Sequence, residues 1–304
     1  MALRRHKFHF TAMAAPCELQ LFGSDRDEVK AIAETAISDV RRIERTYSRY
    51  RNDNLMQKIN QAAARGANIE VDEETASLLD YADECYQQSD GLFDISSGGL
   101  RKIWDFNSGC IPSQQQISQH LEVIGWHKIS WNRPLLTFLT TGMELDFGGI
   151  GKEYAADRAA TICHQLGIEA GLVDLGGDIS IVGPHADGRP WRVGIRDARD
   201  PSALTGIIET YSGAVATSGD YQKYMLIDGK RYSHILNPRT GWPVESLAAV
   251  TVVAEHCVVA GSACTIAMLK GENSPKWLKN KGFTHYWVDA SGDTGGNLKL
   301  QSNV

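Results

Sequence analysis

The second half of the chain constrains the fold most, because from residue 171 onward short strand-like segments follow one another between Gly, Pro and Asp turns. Apolar and β-branched runs of this length, bounded by turn residues, are typical of β-strands with tight connections. The segments are GLVDLGGDISIVG, WRVGIRD, GIIETY, KYMLI and AVTVVA, with a last strand at HYWVD. We therefore expect a C-terminal half that is rich in sheet.

Apolar residues at helical spacing predict helices around and before these strands. They are expected from a cap at Ser24 to Ile43, from about Asp72 to near Gly91, from Lys152 to Gly167 with Leu166 facing inward, over 258–271 and over 275–281. Residues 107–120 are polar and predict a surface loop with a short helix. The predicted fold class is α+β (α/β mixed), with mixed sheets flanked by helices.

Composition excludes several classes of protein. The 304 residues are 42% hydrophobic, enough for a substantial core, and the net charge of -6 argues against a nucleic-acid-binding role. Six cysteines without C-x-x-C spacing indicate neither a zinc site nor a redox dithiol. The sequence shows no signal-peptide pattern and no apolar run long enough to span a membrane, so we expect a cytoplasmic protein.

A glycine-rich turn precedes the third helix, in LDFGGIGKEYAAD at 145–157. Glycines at 148, 149 and 151 leave the backbone open at a helix N-terminus, where N–H groups and Lys152 favour an anion. The segment is neither a Walker motif nor G-x-G-x-x-G, so a tight turn without a ligand is equally consistent with these residues.

Two further segments carry polar residues among turn glycines. In 171–183, Asp174 and Asp178 flank Gly176 and Gly177, which fits either a bulged strand with capping aspartates or a ligand contact. Residues 212–242 combine hydroxyls, bases, Asp220 and His234, a mixture suited to gripping phosphate, with the aspartate and the histidine as candidate proton acceptors. A hydrogen-bonded structural histidine is the alternative.

The order of these and other blocks resembles the ApbE family, flavin transferases that move FMN from FAD onto a threonine or serine of a target protein. The resemblance spans nearly the whole chain. Its blocks are TAMAAP, YSRYRNDNLMQKINQ, SDGLFDISSGGLRKIWDF, LDFGGIGKEYAADRAA, LVDLGGDI, WRVGI, VATSGDYQKY, RYSHILNPRTGWPV and VTVVAEHCVVAGSACTIAMLKG.

The resemblance implies one ApbE-like domain over residues 1–304, related to the T-fold, with a flavin site in a central cleft. The implied catalytic residue is His234, near the diphosphate. The implied FAD-contacting residues are Met13, Tyr50, Trp104, Asp105, Phe106, Asp146, Lys152 and Ile235. The implied partner is a separate acceptor protein with a Thr or Ser flavinylation site, with neither nucleic acid nor stable membrane insertion involved.

The resemblance also implies a magnesium ion held by the backbone carbonyl of Gly149 and by a late A-D-x-x-[ASD]-T block. Here that block reads AGSACT, so Gly261 replaces the usual aspartate, Cys264 occupies the position of an occasional second one, and Thr265 remains. Magnesium prefers hard oxygen ligands, and a lost carboxylate should weaken its binding. Three interpretations stay open: magnesium binds only together with FAD, another acid such as Asp220 serves, or transfer is lost.

Two alternatives to the transferase follow from the weakened metal site. One is a relative that hydrolyses FAD to FMN and AMP, with water replacing the protein hydroxyl. The other is a flavin-binding protein without enzymatic activity.

Overall fold

The structure is a computed structural model that describes residues 2–200, 202–221 and 223–301. Its strands are β1 Arg4–Ala12, β2 Ala15–Gly23, β3 Asn68–Glu70, β4 Ile129–Asn132, β5 Leu135–Phe138, β6 Gly171–Leu175, β7 Asp178–Gly183, β8 Trp191–Arg196, β9 Leu204–Thr210, β10 Ala214–Gly219, β11 Tyr224–Ile227, β12 Lys230–Ser233, β13 Leu247–Ala254, β14 Thr284–Asp289 and β15 Thr294–Gly296. Its α-helices are α1 Arg26–Tyr47, α2 Leu55–Arg65, α3 Glu73–Gln88, α4 Gln114–Leu121, α5 Gly151–Gln165, α6 Cys257–Lys270 and α7 Ser274–Asn280.

An eight-stranded sheet runs in the order β1-β2-β6-β7-β10-β13-β14-β15. Its neighbouring strands all pair antiparallel. The pairs β1–β2, β6–β7 and β14–β15 are hairpins with short turns, whereas longer connections join the other pairs. The β1–β2 hairpin shows this directly, since Ala12 pairs with Ala15 across a turn in which Met13 and Ala14 have φ of 53° and 58°. Positive φ at both central residues is the geometry of a type I′ turn, which matches the twist of the flanking strands.

Helices α1, α5 and α6 pack together and against the sheet. Helix α1 presents a stripe of buried residues that includes Val29, Ala36 and Ile43, as its helical period predicts. Helix α6 is buried over most of its circumference and packs on β10 and β13. Helices α5 and α6 run antiparallel, since Asp157 accepts the N–H groups of Cys257 and Val258 while Glu153 lies against Gly261.

The α+β class is confirmed. Helices pack against the sheets, but the large sheet does not mix parallel and antiparallel strands. Helix α3 begins directly after its N-cap Asp72, as expected, and α4 overlaps 107–120 and ends one residue beyond it. The cap of α1 is Asp25 rather than Ser24, because the Asp25 carboxylate accepts the N–H groups of Asp27 and Glu28.

Other expectations were wrong or incomplete. Leu166 is 47% exposed, because α5 ends one residue earlier and its last turn faces solvent. HYWVD is followed by one more strand, β15, which pairs with β14. Helix α2 was not predicted. Within the described residues, no helix is both long and apolar enough to cross a bilayer.

Candidate functional site

A polar cleft that is open to solvent lies where α5, α6 and the end of β10 meet. Its other walls are the loop after α3, the 3₁₀ helix Gly98–Lys102 and the segment after β12. Among the predicted site residues, it is lined by Asp146, Gly149, Lys152, His234, Ile235 and Thr265.

The glycine-rich turn forms the floor beside the N-terminus of α5. Asp146 is fixed there, since its carboxylate accepts Arg49 Nη1–H and the Gly148 N–H at 2.9 and 2.8 Å. A Cβ built on Gly149 would lie 4.0 Å from Thr265 Cγ2 on α6. The fold therefore brings together the two residues predicted to hold a metal, although they are distant in the chain.

Charged groups crowd the first turn of α5. Lys152 Nζ pairs with the buried carboxylate of Asp178. Burial alone would lower the pKa of Lys152, but Asp178 and Glu153 more than compensate and raise it, so the ammonium stays charged. Asp178 also accepts the N–H of Thr217 at 3.4 Å. Of the two aspartates in 171–183, Asp178 thus faces the cleft. This favours the interpretation of the segment as a ligand contact over that of a bulged strand alone.

Glu153 is 7% exposed, and its Oε2 is a buried side-chain oxygen that has no hydrogen-bond partner within the described residues. Burial, and then the negative charge of Asp178, raise the pKa of this carboxyl. The cleft corner therefore holds two carboxylates and one ammonium.

His234 lies on the opposite wall, partly buried. Its Nδ1 is 3.0 Å from the carbonyl oxygen of Lys223. Because a carbonyl only accepts, Nδ1 carries the proton and Nε2 keeps its lone pair. Burial, and then the positive charge of Arg101, lower the pKa of His234 to about 4. The ring is consequently neutral at pH 7 and able to accept a proton.

Asp220, the other candidate proton acceptor, does not serve the cleft in this arrangement. Its carboxylate oxygen Oδ1 lies 2.7 Å from Arg199 Nη1 and 3.4 Å from Arg231 Nη1, and within the described residues Asp220 is absent from the cleft lining. Its charge is already compensated by two guanidinium groups. The interpretation of Asp220 as a substitute metal ligand is therefore not supported by its position.

The remaining residues predicted to contact FAD lie outside this cleft. Trp104 is 1% exposed and donates its indole N–H to Gly241 O at 2.7 Å, with Phe106 stacked at 6.2 Å between ring centroids. Asp105 is exposed, Tyr50 is 80% exposed, and Met13 occupies the β1–β2 turn, where its N–H donates to Glu44 Oε1 at 2.6 Å. In the described part of the chain, none of the five lines the cleft.

The late AGSACT block turns only Thr265 towards the cleft. Cys264 is fully buried in the core and donates its thiol to Ala216 O at 3.3 Å. Ser218 Oγ lies 3.5 Å from Thr265 Oγ1, so two hydroxyls meet at this point. Across the described ranges, no three His, Cys, Asp or Glu side chains form a ready-made metal cluster.

Sequence reasoning missed two functional candidates, Arg101 and Glu153, both of which line the cleft. Both lie inside blocks that carry the family resemblance, but neither has a spacing that distinguishes it from a surface charge. Only the packing of distant segments shows their position.

An antiparallel sheet packed against helices, with a charge-lined cleft at the N-terminus of α5, defines an α+β protein with a site suited to a polar ligand. The chain belongs to the ApbE family, whose sequence model matches residues 13–288. The FAD:protein FMN transferase of Escherichia coli (strain K12) is 31% identical over 262 residues, which span 81% of this chain and 73% of that protein.

Solved structures agree with this assignment. The ApbE protein from Thermotoga maritima is 30% identical, with a TM-score of 0.88 over 96% of this chain and 97% of that chain. The flavinyl transferase ApbE from Pseudomonas stutzeri is 27% identical, with a TM-score of 0.84 over 97% and 94% of the two chains.

Proposed function

We propose that this protein is a FAD:protein FMN transferase, which attaches FMN from FAD to a threonine or serine hydroxyl of an acceptor protein and releases AMP. The observation that carries the proposal is the neutral His234 in one cleft with Lys152, Arg101 and the glycine-rich turn. The similar proteins from Escherichia coli and Pseudomonas stutzeri are flavin transferases, which supports the same reaction.

The charged floor of the cleft suits the diphosphate of FAD. Arg101 supplies positive charge, and the N-terminus of α5, which lacks a side-chain cap within the described residues, offers backbone dipoles. Lys152 also lines the cleft, with its ammonium paired to Asp178. Asp146 and Ile235 are the predicted FAD contacts that already line this space. For Met13, Tyr50, Trp104, Asp105 and Phe106, contact with FAD stays a prediction and requires the dinucleotide to extend beyond the cleft.

His234 is the proposed base. Its Nε2 accepts the proton of the acceptor hydroxyl while that oxygen bonds to the FMN-side phosphorus, and the bond from this phosphorus to the AMP oxygen breaks. The carbonyl of Lys223 holds the Nδ1–H, which fixes the tautomer and the ring orientation. AMP leaves with the electron pair of the broken bond as a phosphate oxygen charge.

Magnesium fits the donors at the corner between α5 and α6. The Gly149 carbonyl and the Thr265 hydroxyl are hard oxygen ligands, and Gly149 and Thr265 lie side by side. When bound, a divalent cation stabilises negative charge on the diphosphate oxygens. Gly261 contributes no side chain.

The cleft draws on residues from Leu92 to Leu269, which supports the proposal that 1–304 act as one ApbE-like domain.

We propose that enzyme and acceptor meet in the cytoplasm, which cell fractionation with an antibody to the protein would test.

The transferase proposal is tested with FAD, magnesium and a carrier protein that bears a D-x-x-[ST]-[GS]-A-[ST] segment, the acceptor pattern implied by the family. We expect flavin fluorescence on the carrier after denaturing electrophoresis, and a carrier mass increased by one FMN. The matched carrier with Val at the acceptor position should stay unlabelled.

A His234→Asn variant separates the chemistry from binding. Loss of a general base should lower the transfer rate by about 10²- to 10⁴-fold, while FAD still binds. His9→Asn, on the exposed part of β1, is the matched control and should keep full activity. If the parent protein releases free FMN without labelling the carrier, the hydrolase is favoured. If the parent protein binds FAD but shows no turnover, the non-enzymatic alternative is favoured.

A further inference from the structure

Glu153 has an unusual environment for an acidic residue. It is 7% exposed, it lines the cleft, and its Oε2 is buried without a hydrogen-bond partner among the described residues. A buried carboxylate oxygen without a donor is costly unless a cation or proton completes it. The neighbouring Lys152 does not, because its ammonium pairs with Asp178.

The Glu153 side chain occupies the space that a side chain at position 261 would need. A Cβ built on Gly261 would overlap Glu153 Cγ and lie 3.0 Å from both its Cδ and its Oε1. The glutamate and the glycine are therefore sterically coupled across the α5–α6 contact. The carboxylate at this point of the cleft therefore comes from Glu153 on α5, because Gly261 on α6 has no side chain.

This point is adjacent to the other proposed ligands. Positions 261 and 265 lie four residues apart on α6 and so share one helix face. Gly149 lies beside Thr265 and shortly precedes Glu153 in the chain. Gly149, Thr265 and Glu153 consequently line the same side of the cleft.

The charges point in the same direction. Glu153, Asp178 and Lys152 form a buried group with two carboxylates and a single ammonium. Only Asp178 has a cationic partner in this group, and a divalent cation beside Glu153 would supply the second carboxyl group with one.

We propose that Glu153 is a metal ligand of this protein and supplies from α5 the carboxylate that Gly261 cannot supply from α6. The assignment rests on the proposed function, since the cation belongs to the FAD-binding corner, but it concerns a residue whose role the family resemblance does not assign. It also explains why the loss of an acid at position 261 need not abolish metal binding.

The test measures metal binding directly, with Mn²⁺ as the probe, because it shares the oxygen-ligand preference of magnesium and its free form gives an electron paramagnetic resonance signal. The full-length protein is titrated with Mn²⁺ in the presence of FAD and without an acceptor. Glu153→Gln keeps the side-chain shape and should weaken Mn²⁺ binding by at least about tenfold. Glu74→Gln, which removes a partly buried carboxylate outside the cleft, should leave it unchanged.

A second variant moves the carboxylate between helices. The double variant Glu153→Gly with Gly261→Asp vacates the space and puts an acid on α6, and it should recover most of the lost affinity. Gly261→Asp alone should not tighten binding, because the new side chain overlaps Glu153. Thermal unfolding of each variant confirms that it is folded before titration.

The outcomes separate this proposal from the transferase proposal. Undiminished Mn²⁺ affinity in Glu153→Gln, or no Mn²⁺ binding by the parent protein, overturns the Glu153 assignment even if the parent labels the carrier. Glu153-dependent Mn²⁺ binding in a protein that labels no carrier supports the assignment and counts against transfer alone.

Discussion

The polar corner of the cleft and the aromatic cluster around Trp104 were both predicted to contact FAD, yet the fold uses them differently. At the corner, Lys152, His234 and Thr265 converge on open space. In the cluster, Trp104 packs edge to face on Trp242 at 5.4 Å and is closed off by its neighbours. The same family block thus holds a residue that lines the cleft, Arg101, beside a buried packing residue, Trp104.

The difference follows from what each side chain costs to bury. A charged group stays at the edge of a cleft because its transfer out of water without a partner is unfavourable. Burial of an indole is favourable once its N–H has an acceptor. Trp104 has that acceptor in Gly241 O. We infer that Trp104 supports the wall that carries the cleft.

The largest expected effect in this comparison is on stability. Trp104→Ala should lower the free energy of unfolding by about 3–5 kcal/mol, since it opens a cavity and leaves the Gly241 carbonyl without its donor. Denaturant unfolding followed by circular dichroism measures it. Trp104→Phe, which keeps most of the volume, is the companion variant. If Trp104→Ala keeps its stability but loses FAD affinity, a direct contact between Trp104 and FAD would be supported instead.

An intermediate effect is expected at Tyr50, which lies outside the packed cluster. Its ring is 80% exposed, so Tyr50→Ala should leave the unfolding free energy nearly unchanged. If Tyr50 stacks on FAD, the variant should lose about 1 kcal/mol of binding free energy, measured by fluorescence titration of FAD. Tyr211→Ala, at another exposed tyrosine, is the control. Equal FAD affinity in both variants would remove Tyr50 from the FAD contacts.

The smallest effect concerns pH. His234 accepts a proton only when it is neutral. Its pKa of about 4 keeps the ring neutral at pH values at which an ordinary histidine is already protonated. The kcat/KM for FAD, which reports the free enzyme, should therefore change little between pH 7 and 5 as far as His234 is concerned. The unfolded chain binds this proton near pH 6.5, so the His234 contribution to stability falls as pH drops from about 6.5 towards 4.

Arg101→Gln sharpens the pH prediction, because removing that positive charge should move the acidic limb of the His234 profile to higher pH. An acidic limb already at about pH 6.5 in the parent protein would show that His234 is not shifted in solution or is not the base.

The sequence alone predicted features that local geometry determines. The turn 146–149 and the start of α5 could be placed because glycines before a helix period constrain the backbone within a few residues. Trp104 could not be separated from Arg101, because burial depends on β12 and the segment around Trp242, which lie far along the chain. The contact between position 261 and Glu153 could not be predicted for the same reason, since Glu153 is on another helix.

Thr265 lies on α6, close to the C-terminal end of the chain, while the first residues of the cleft come from the loop after α3. During synthesis, a growing chain therefore has no complete pocket until α6 has left the ribosome and docked on β10 and β13. A ligand that binds only the finished pocket stabilises the folded population by mass action, so FAD supply would affect how much of this protein survives proteolysis after translation.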